Sequence, residues 1–293
     1  MKTRRGLPPA RHGRHAAAAL VIAALALGLN SLRADEWAPN LTLSTSWQDN
    51  VTNTNRSGDR IGALQTQAEA LASQRYELNR DDSARVGFQA SAEWWPRFNA
   101  LNTGALGLRA EWRHTFGPGA LAPVMAVALA GDYLAAGETG RRGTTTLVGV
   151  SLRKRFDNHW RATLTQEFSN HNARDAVYDR NRGETTLELG YDYSEFVRFT
   201  VTGFWRSGAL VSYATLARPE LTVSSANQLT VDTFGERRIA YSVDARTFGG
   251  KVGAIRALDE SSALLLGYEY RYNEASRLRC VNQVASLALV HQF

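Results

Sequence analysis

The chain has 293 residues, 44% of them hydrophobic and 10% aromatic, with a single Cys and a formal net charge of +6. The basic excess lies wholly in residues 1–34, where Lys2, Arg4, Arg5, Arg11, Arg14 and Arg33 have no acidic counterpart, so the remainder is charge-balanced. These numbers exclude a generally basic nucleic-acid-binding surface, an intramolecular disulfide framework, a Cys-based zinc site and intrinsic disorder.

The first element is a targeting segment. Residues 1–15 are Arg-rich, residues 16–29 are an unbroken apolar run, and Ala34 precedes the acidic pair Asp35-Glu36. A basic n-region, a short apolar h-region and a small residue at the junction predict a secretory signal peptide over 1–34 and a mature domain over 35–293. The apolar run is too short for a ~30 Å hydrocarbon core, which takes about 20 helical residues. The longest apolar stretch after it, Ala120 to Gly131, is interrupted by Pro123. Any membrane crossing by the mature chain therefore falls to strands.

From Asn40 onward the period is two. Leu41, Leu43, Thr45 and Trp47 open the pattern. In 64–79, Leu64, Thr66, Ala68, Ala70, Ala72 and Tyr76 oppose Gln65, Gln67, Glu69, Arg75 and Glu77. Ile61, Leu64, Ala68 and Leu71 also share a helical face, but the regular polar row favours a strand. Val86, Phe88 and Trp94 then oppose Arg85, Gln89 and Glu93, and Leu106, Leu108, Trp112 and Phe116 oppose Arg109, Glu111 and Arg113. Segments at 121–134, 148–156, 160–168, 186–193 and 198–206 repeat the alternation, placing Arg153, Arg155, Arg161, Glu167, Glu188, Asp192, Arg198 and Arg206 on polar rows. The tenth sets Ile239, Tyr241, Val243 and Ala245 against Asp244 and Arg246, with a bulge expected at Gly249-Gly250. The eleventh and twelfth set Leu264, Leu266, Tyr268 and Tyr270 against Glu269 and Arg271, and Leu287, Leu289 and Phe293 against Ser286 and Gln292.

Twelve such segments fit a soluble sandwich or a membrane barrel, and the connections decide. Turns after the even segments are short; those after the odd ones reach nearly 30 residues at 208–236. Short and long connections in alternation, with aromatics at the strand ends, predict an all-β fold: a transmembrane antiparallel up-and-down β-barrel of about twelve strands. A short alternation at Leu221 and Val223 leaves fourteen open, and the ambiguous second segment leaves ten.

The last strand ends on Phe293, in phase with Leu289 and Leu287. Here the sequence resembles the Gram-negative outer-membrane β-barrel proteins. The resemblance implies outer-membrane residence, a surround of lipid and lipopolysaccharide, and a terminal strand read by the barrel assembly machinery. It carries over no functional residues.

The polar rows make the candidate lumen: Arg109, Glu111, Arg113, Arg153, Arg155, Arg161, Glu167, Glu188, Arg198, Arg206, Asp244, Arg246, Glu269 and Arg271. An Arg-weighted row selects anions, since guanidinium matches carboxylate and phosphate geometry. The expected function is a porin-like channel or transporter for small polar, anionic solutes, with no cofactor and no nucleic-acid partner. Two alternatives stand beside it. One is a non-conducting structural, adhesion or export-partner barrel. The other is a surface hydrolase built on His171, in an expected outer loop with Asp175 and Asp179. No metalloprotease, serine-hydrolase or phosphate-loop motif is present. The oxygen-rich stretch Asp49 to Asp59 lacks the acidic spacing of a calcium loop, and no metal site is expected.

Overall fold

The structure is a computed structural model that describes residues 37–293, so the predicted signal peptide lies outside the described residues. Its elements are β1 (Ala38–Gln48), β2 (Ala63–Glu77), β3 (Asp82–Trp94), β4 (Thr103–Thr115), β5 (Val124–Ala136), β6 (Gly143–Arg155), β7 (Trp160–Ala173), β8 (Arg180–Asp192), β9 (Val197–Ala214), helix α1 (Pro219–Ser224), β10 (Ser225–Val231), β11 (Arg238–Ala257), β12 (Ser262–Ala275) and β13 (Leu278–Gln292). Twelve of the strands form a closed antiparallel ring. Sequence neighbours pair throughout, β13 pairs with β1, and β9 pairs with β11 past the intervening β10. The second segment is a strand, β2, in register with β1 and β3 over its length.

β10 stands outside the ring. β11 projects beyond the end of β12, whose pairing starts at Ala245, and β10 occupies the free edge from Arg238 to Val243. The expected alternation at Leu221 and Val223 is instead helix α1, with Pro219 in its first turn and Leu221 fully buried. A proline with fixed φ starts a helix without losing a needed donor, and that outweighs a two-residue alternation.

The outer surface of the ring is apolar because every second side chain points outward. Leu106 is 69% exposed and Phe168 61%, with Phe88, Leu108, Val201, Leu266 and Tyr133 on the same surface. Aromatics gather near the strand ends, including Trp160 tilted on Tyr191 at 4.8 Å and Trp112 stacked on His114 at 5.9 Å. A contiguous apolar belt of this kind is stable only against lipid. Lys154, on this outer row at the end of β6, turns its Nζ to the carbonyl of Leu121 at 3.0 Å.

The two ends of the ring differ. At one, connections at 78–81, 156–159, 193–196 and 258–261 are tight, and 116–123 is the longest of them. At the other, the loops 49–62, 95–102, 137–142, 174–179 and 215–237 converge on one another. Trp95, Phe98 and Leu101, Val177 and Tyr178, Tyr213, Val231, Phe234 and Ala240 share one buried cluster. Phe234 meets the Phe98 and Tyr213 rings edge-on at 5.1 and 5.0 Å. The tip of the β9–β11 hairpin is buried on its other face too, with Tyr241, Val243 and Ala214 against Leu221 and Leu278. The loops thus form a packed cap across this mouth.

The oxygen-rich loop after β1 ties the cap down. Tyr213 N donates to Thr52 O at 2.9 Å, Asn53 Nδ2 to Val211 O at 2.9 Å, and Asn282 Nδ2 to Asn50 O at 2.7 Å. Asn53 takes a positive φ of 50°, which Asn tolerates better than most residues. Buried Asp59 accepts hydrogen bonds from the Thr215 backbone N–H at 3.0 Å and hydroxyl at 2.5 Å, while Arg238 donates to its carbonyl at 3.0 Å. Burial by itself raises the carboxyl pKa, but the Thr215 bonds and the charges of Arg238 and Arg218 outweigh it, leaving Asp59 below its ordinary value.

A depressed carboxylate contributes stability above its unfolded pKa, about 3.9, and loses it as pH falls through the folded value. The cap is therefore expected to loosen in acid below about pH 4. Asp59→Asn should reproduce this at neutral pH, costing about 2 kcal/mol as a lost charged hydrogen bond. Hydrogen exchange reads it: amides at 211–214 and 238–243 should lose protection while β3–β8 keep theirs. Unchanged protection at the hairpin tip would contradict the role given to Asp59.

Candidate functional site: the barrel lumen

Inward-pointing side chains alternate with the apolar outer row, and they are the polar ones. Near the tight-turn end, Asp192 at the end of β8 is a hub for three arginines. Arg198 Nε lies 2.5 Å, Arg161 Nη2 3.1 Å and Arg155 Nη2 3.3 Å from its carboxylate. Three guanidinium groups on one carboxylate leave this part of the wall positive. Glu111 takes Arg113 at 2.8 Å on β4. The side chains of Arg109, Arg153, Glu167 and Glu188 make no ion pair or hydrogen bond with the described residues, although the charges of Glu188 and Arg153 act on Arg161 through space.

Nearer the capped end, Glu184 binds Arg182 closely and Arg206 at 2.9 Å. Arg271 pairs with Glu269 on β12. Lys251 stands on the inner row, in register with Glu269. Across the ring, Glu69, Glu93 and Asp132 occupy the inner rows of β2, β3 and β5, where Gln67 donates to Glu69 and Gln89 to Asp132, each at 2.5 Å. Negative and positive charge therefore face each other across the outer half of the lumen.

Two expected lumen residues are elsewhere. Asp244 and Arg246 are exposed on the outer side of β11, whereas Ala245 and Thr247 line the inner cavity. The expected bulge at Gly249-Gly250 is the reason. The β9–β11–β12 register runs through both glycines without a shift, so the inward parity of Lys251 carries up to Thr247 and Ala245. Gly249 serves a different need: the Phe204 ring lies where its Cβ would be, 2.0 Å away. Only glycine lets an aromatic from the paired strand lie flat there. The buried upper half of β11 inverted the sequence pattern, because Tyr241 and Val243 are apolar for the cap and not for lipid.

Sequence reasoning also missed four basic residues and one acid. Arg180, Arg182 and Glu184 continue the even-numbered row of Thr186 and Glu188, and that parity was the available signal; the segment was begun too late, at 186. Arg141 lies in the loop 137–142 and lines the cavity, and Lys251 follows the glycine pair of β11 on the inner row. All but Lys251 and Glu184 line a cavity of about 290 Å³ beneath the cap, with Arg206, Arg271 and Tyr213. Arg141 stacks its guanidinium over the Tyr178 ring at 5.5 Å. Tyr178 donates its hydroxyl to Glu138 at 2.5 Å, and burial above all raises its pKa, so it stays a neutral donor.

His171 lies inside β7, not in a loop, and is buried. Its Nε2 faces the Arg141 carbonyl at 3.2 Å, so that nitrogen carries the proton, and its Nδ1 accepts from Thr145 Oγ1 at 3.0 Å. Asp179 instead accepts from Ala173 N at 2.7 Å. The Asp–His pair of the hydrolase alternative is not formed. The terminal residues Leu287, Leu289 and Phe293 lie on the exposed outer row, and Phe293 N donates to Pro39 O at 3.0 Å.

No protein-family model and no curated sequence matches the chain. Solved structures do. An outer membrane channel from Pseudomonas putida F1 is similar with a TM-score of 0.59 at 10% identity, over 88% of this chain and 96% of that one. The NanC porin is similar with a TM-score of 0.50 at 8% identity, over 86% of this chain and 100% of that one. At such identities the likeness concerns the fold, and that fold is the outer-membrane β-barrel of the porin-like kind.

Proposed function

We propose that the protein resides in the outer membrane as a porin-like channel for small polar solutes, with a preference for anions. The observation that carries this reading is the set of inner-row charges with no partner, Arg109, Arg153, Glu167 and Glu188. Charges sealed in a dry, cross-linked barrel would be paired, because an unpaired ion there costs several kcal/mol. Unpaired ones are tolerable where water reaches them. The three-to-one arginine excess at Asp192 adds the sign. Known channels of this fold support the reading without supplying a solute. In this reading the apolar belt meets lipid and the capped end faces lipopolysaccharide.

The non-conducting alternative is favoured by one feature, the packed cap across the long-loop mouth. Planar-bilayer recording of the purified barrel separates the two. Discrete channels with anion preference are expected, weakened several-fold by Arg153→Glu with Arg155→Glu, since each reversal, a change of two unit charges, alters the energy of an ion about 8 Å away by about 1 kcal/mol in water. Silent bilayers from a folded barrel would favour the non-conducting reading.

Phe293, Leu289 and Leu287 form the proposed signal for the assembly machinery. Deleting Phe293 should cut the yield of heat-modifiable barrel in cells several-fold, whereas Cys280→Ser should leave it near normal. Equal yields would remove the terminal strand from that role.

A further inference from the structure

We propose that the cavity beneath the cap binds a small organic carboxylate, held by Arg180 and Arg141; this rests on the channel reading only for how the solute arrives. Arg180, the first residue of β8, keeps much of its side chain accessible and lines the cavity. Its side chain makes no hydrogen bond or ion pair with the described residues; the nearby charges of Arg141 and Arg182 oppose its own, and Glu93 offsets them only through space. The other guanidinium groups around the cavity are committed: Arg182 and Arg206 to Glu184, Arg271 to Glu269. Arg141 has no acid either. Its stacking on Tyr178 fixes the guanidinium plane and leaves its N–H edge free. Two unpaired forks converging on one enclosed space are a receptor for a planar oxyanion, which guanidinium meets with two parallel hydrogen bonds.

The opposite wall sets the rest of the ligand. Asn273 and Asn282 line it; Asn273 donates to Asn282 and Cys280, Asn282 donates to Asn50 and Asn53 of the first loop, and Thr247 donates to Asn273 at 2.7 Å. With Arg271 neutralised by Glu269, that wall is polar without excess charge, so it favours a neutral hydroxylated body over a second charge. The volume, about 290 Å³, equals that of about ten waters and limits the solute to a small molecule.

Calorimetric titration of the detergent-solubilised mature barrel tests the site without requiring conduction, and Trp95, which lines the cavity, gives a parallel fluorescence signal. The probes are gluconate, glucose and inorganic phosphate. Gluconate should bind saturably, glucose should not, and phosphate should bind more weakly. Arg180→Gln should weaken gluconate at least tenfold, as expected for a lost charged hydrogen-bond pair, and Arg141→Gln should weaken it less. Arg246→Gln, on the outer side of β11, should change nothing. Arg180→Gln should leave the melting temperature of the empty barrel near that of the parent, because the side chain bonds no described residue and the opposing charges of Arg141 and Arg182 are offset by Glu93. That result separates lost binding from misfolding. Absence of gluconate binding to a folded barrel, binding indifferent to Arg180→Gln, or phosphate binding as tightly as gluconate would overturn the proposal. Bilayer recordings judge the channel separately: conductance without gluconate binding sinks this site alone, and binding with silent bilayers upholds it.

Discussion

The pairing of β9 with β11 is the contact on which the rest of the molecule depends. It runs unbroken from Ala214↔Ile239 to Val197↔Arg256 and converts an open sheet into a ring. In hydrocarbon an open edge would leave a row of backbone N–H and C=O groups without partners, each costing several kcal/mol. Closure removes that cost, and it also sets the lumen. Twelve strands enclose more than the side-chain-filled eight-stranded barrel and less than the wide sixteen-stranded pores. A lumen of that width brings charges on facing walls near enough to interact, as Glu93 does with Arg180.

Closure also explains the cap. β9 and β11 are the longest strands, and both overrun their outer neighbours: β8 stops pairing at Gly208 and β12 at Ala245. The overhanging hairpin cannot stay in lipid, because its edges are unpaired and its outer face carries Asp244 and Arg246. β10 takes one edge and the first loop takes part of the other, through Tyr213 and Val211. Its apolar residues then bury themselves among the loops. The same overhang therefore makes the thirteenth strand and the closed mouth.

Much of this was legible in the sequence. All twelve ring strands follow from period two, because lipid on one side and polar lumen on the other impose opposite demands on alternate residues. The readings that missed are those where that contrast fails. In the upper part of β11, Tyr241 and Val243 are apolar for protein packing and no longer mark lipid. Around Arg180 and Arg182 the outward partners Asn181 and Gly183 are not apolar, so the strand could not be told from a loop. His171 shows the same limit, since Asn170 and Asn172 on its outer side conceal the strand it belongs to. The hub at Asp192 was visible as a lumen charge, but its three arginines come from three strands, and sequence periodicity carries no information about which rows meet in space.

Cap and lumen point in different directions, and the charge distribution reconciles them. If the interior were a sealed structural core, the cheapest arrangement would pair every ion or replace the pairs with apolar residues of similar volume. The wall does neither. It gathers three arginines on Asp192 and two on Glu184, and leaves Arg109, Arg153, Arg180, Glu167 and Glu188 without a side-chain partner among the described residues. In the channel reading, such uneven pairing persists because water or soluble ions solvate the charges left over. The cap is built from the opposite materials: aromatic edges, aliphatic contacts and backbone hydrogen bonds, with its buried charges Asp59, Arg218 and Arg238 all engaged. A dry lid over a wet, positively biased interior separates two environments across a few residues of the β9–β11 hairpin. The cavity lies at that boundary, where Arg182, Arg206 and Arg271 have acids and Arg180 and Arg141 are left to the solvent or a solute.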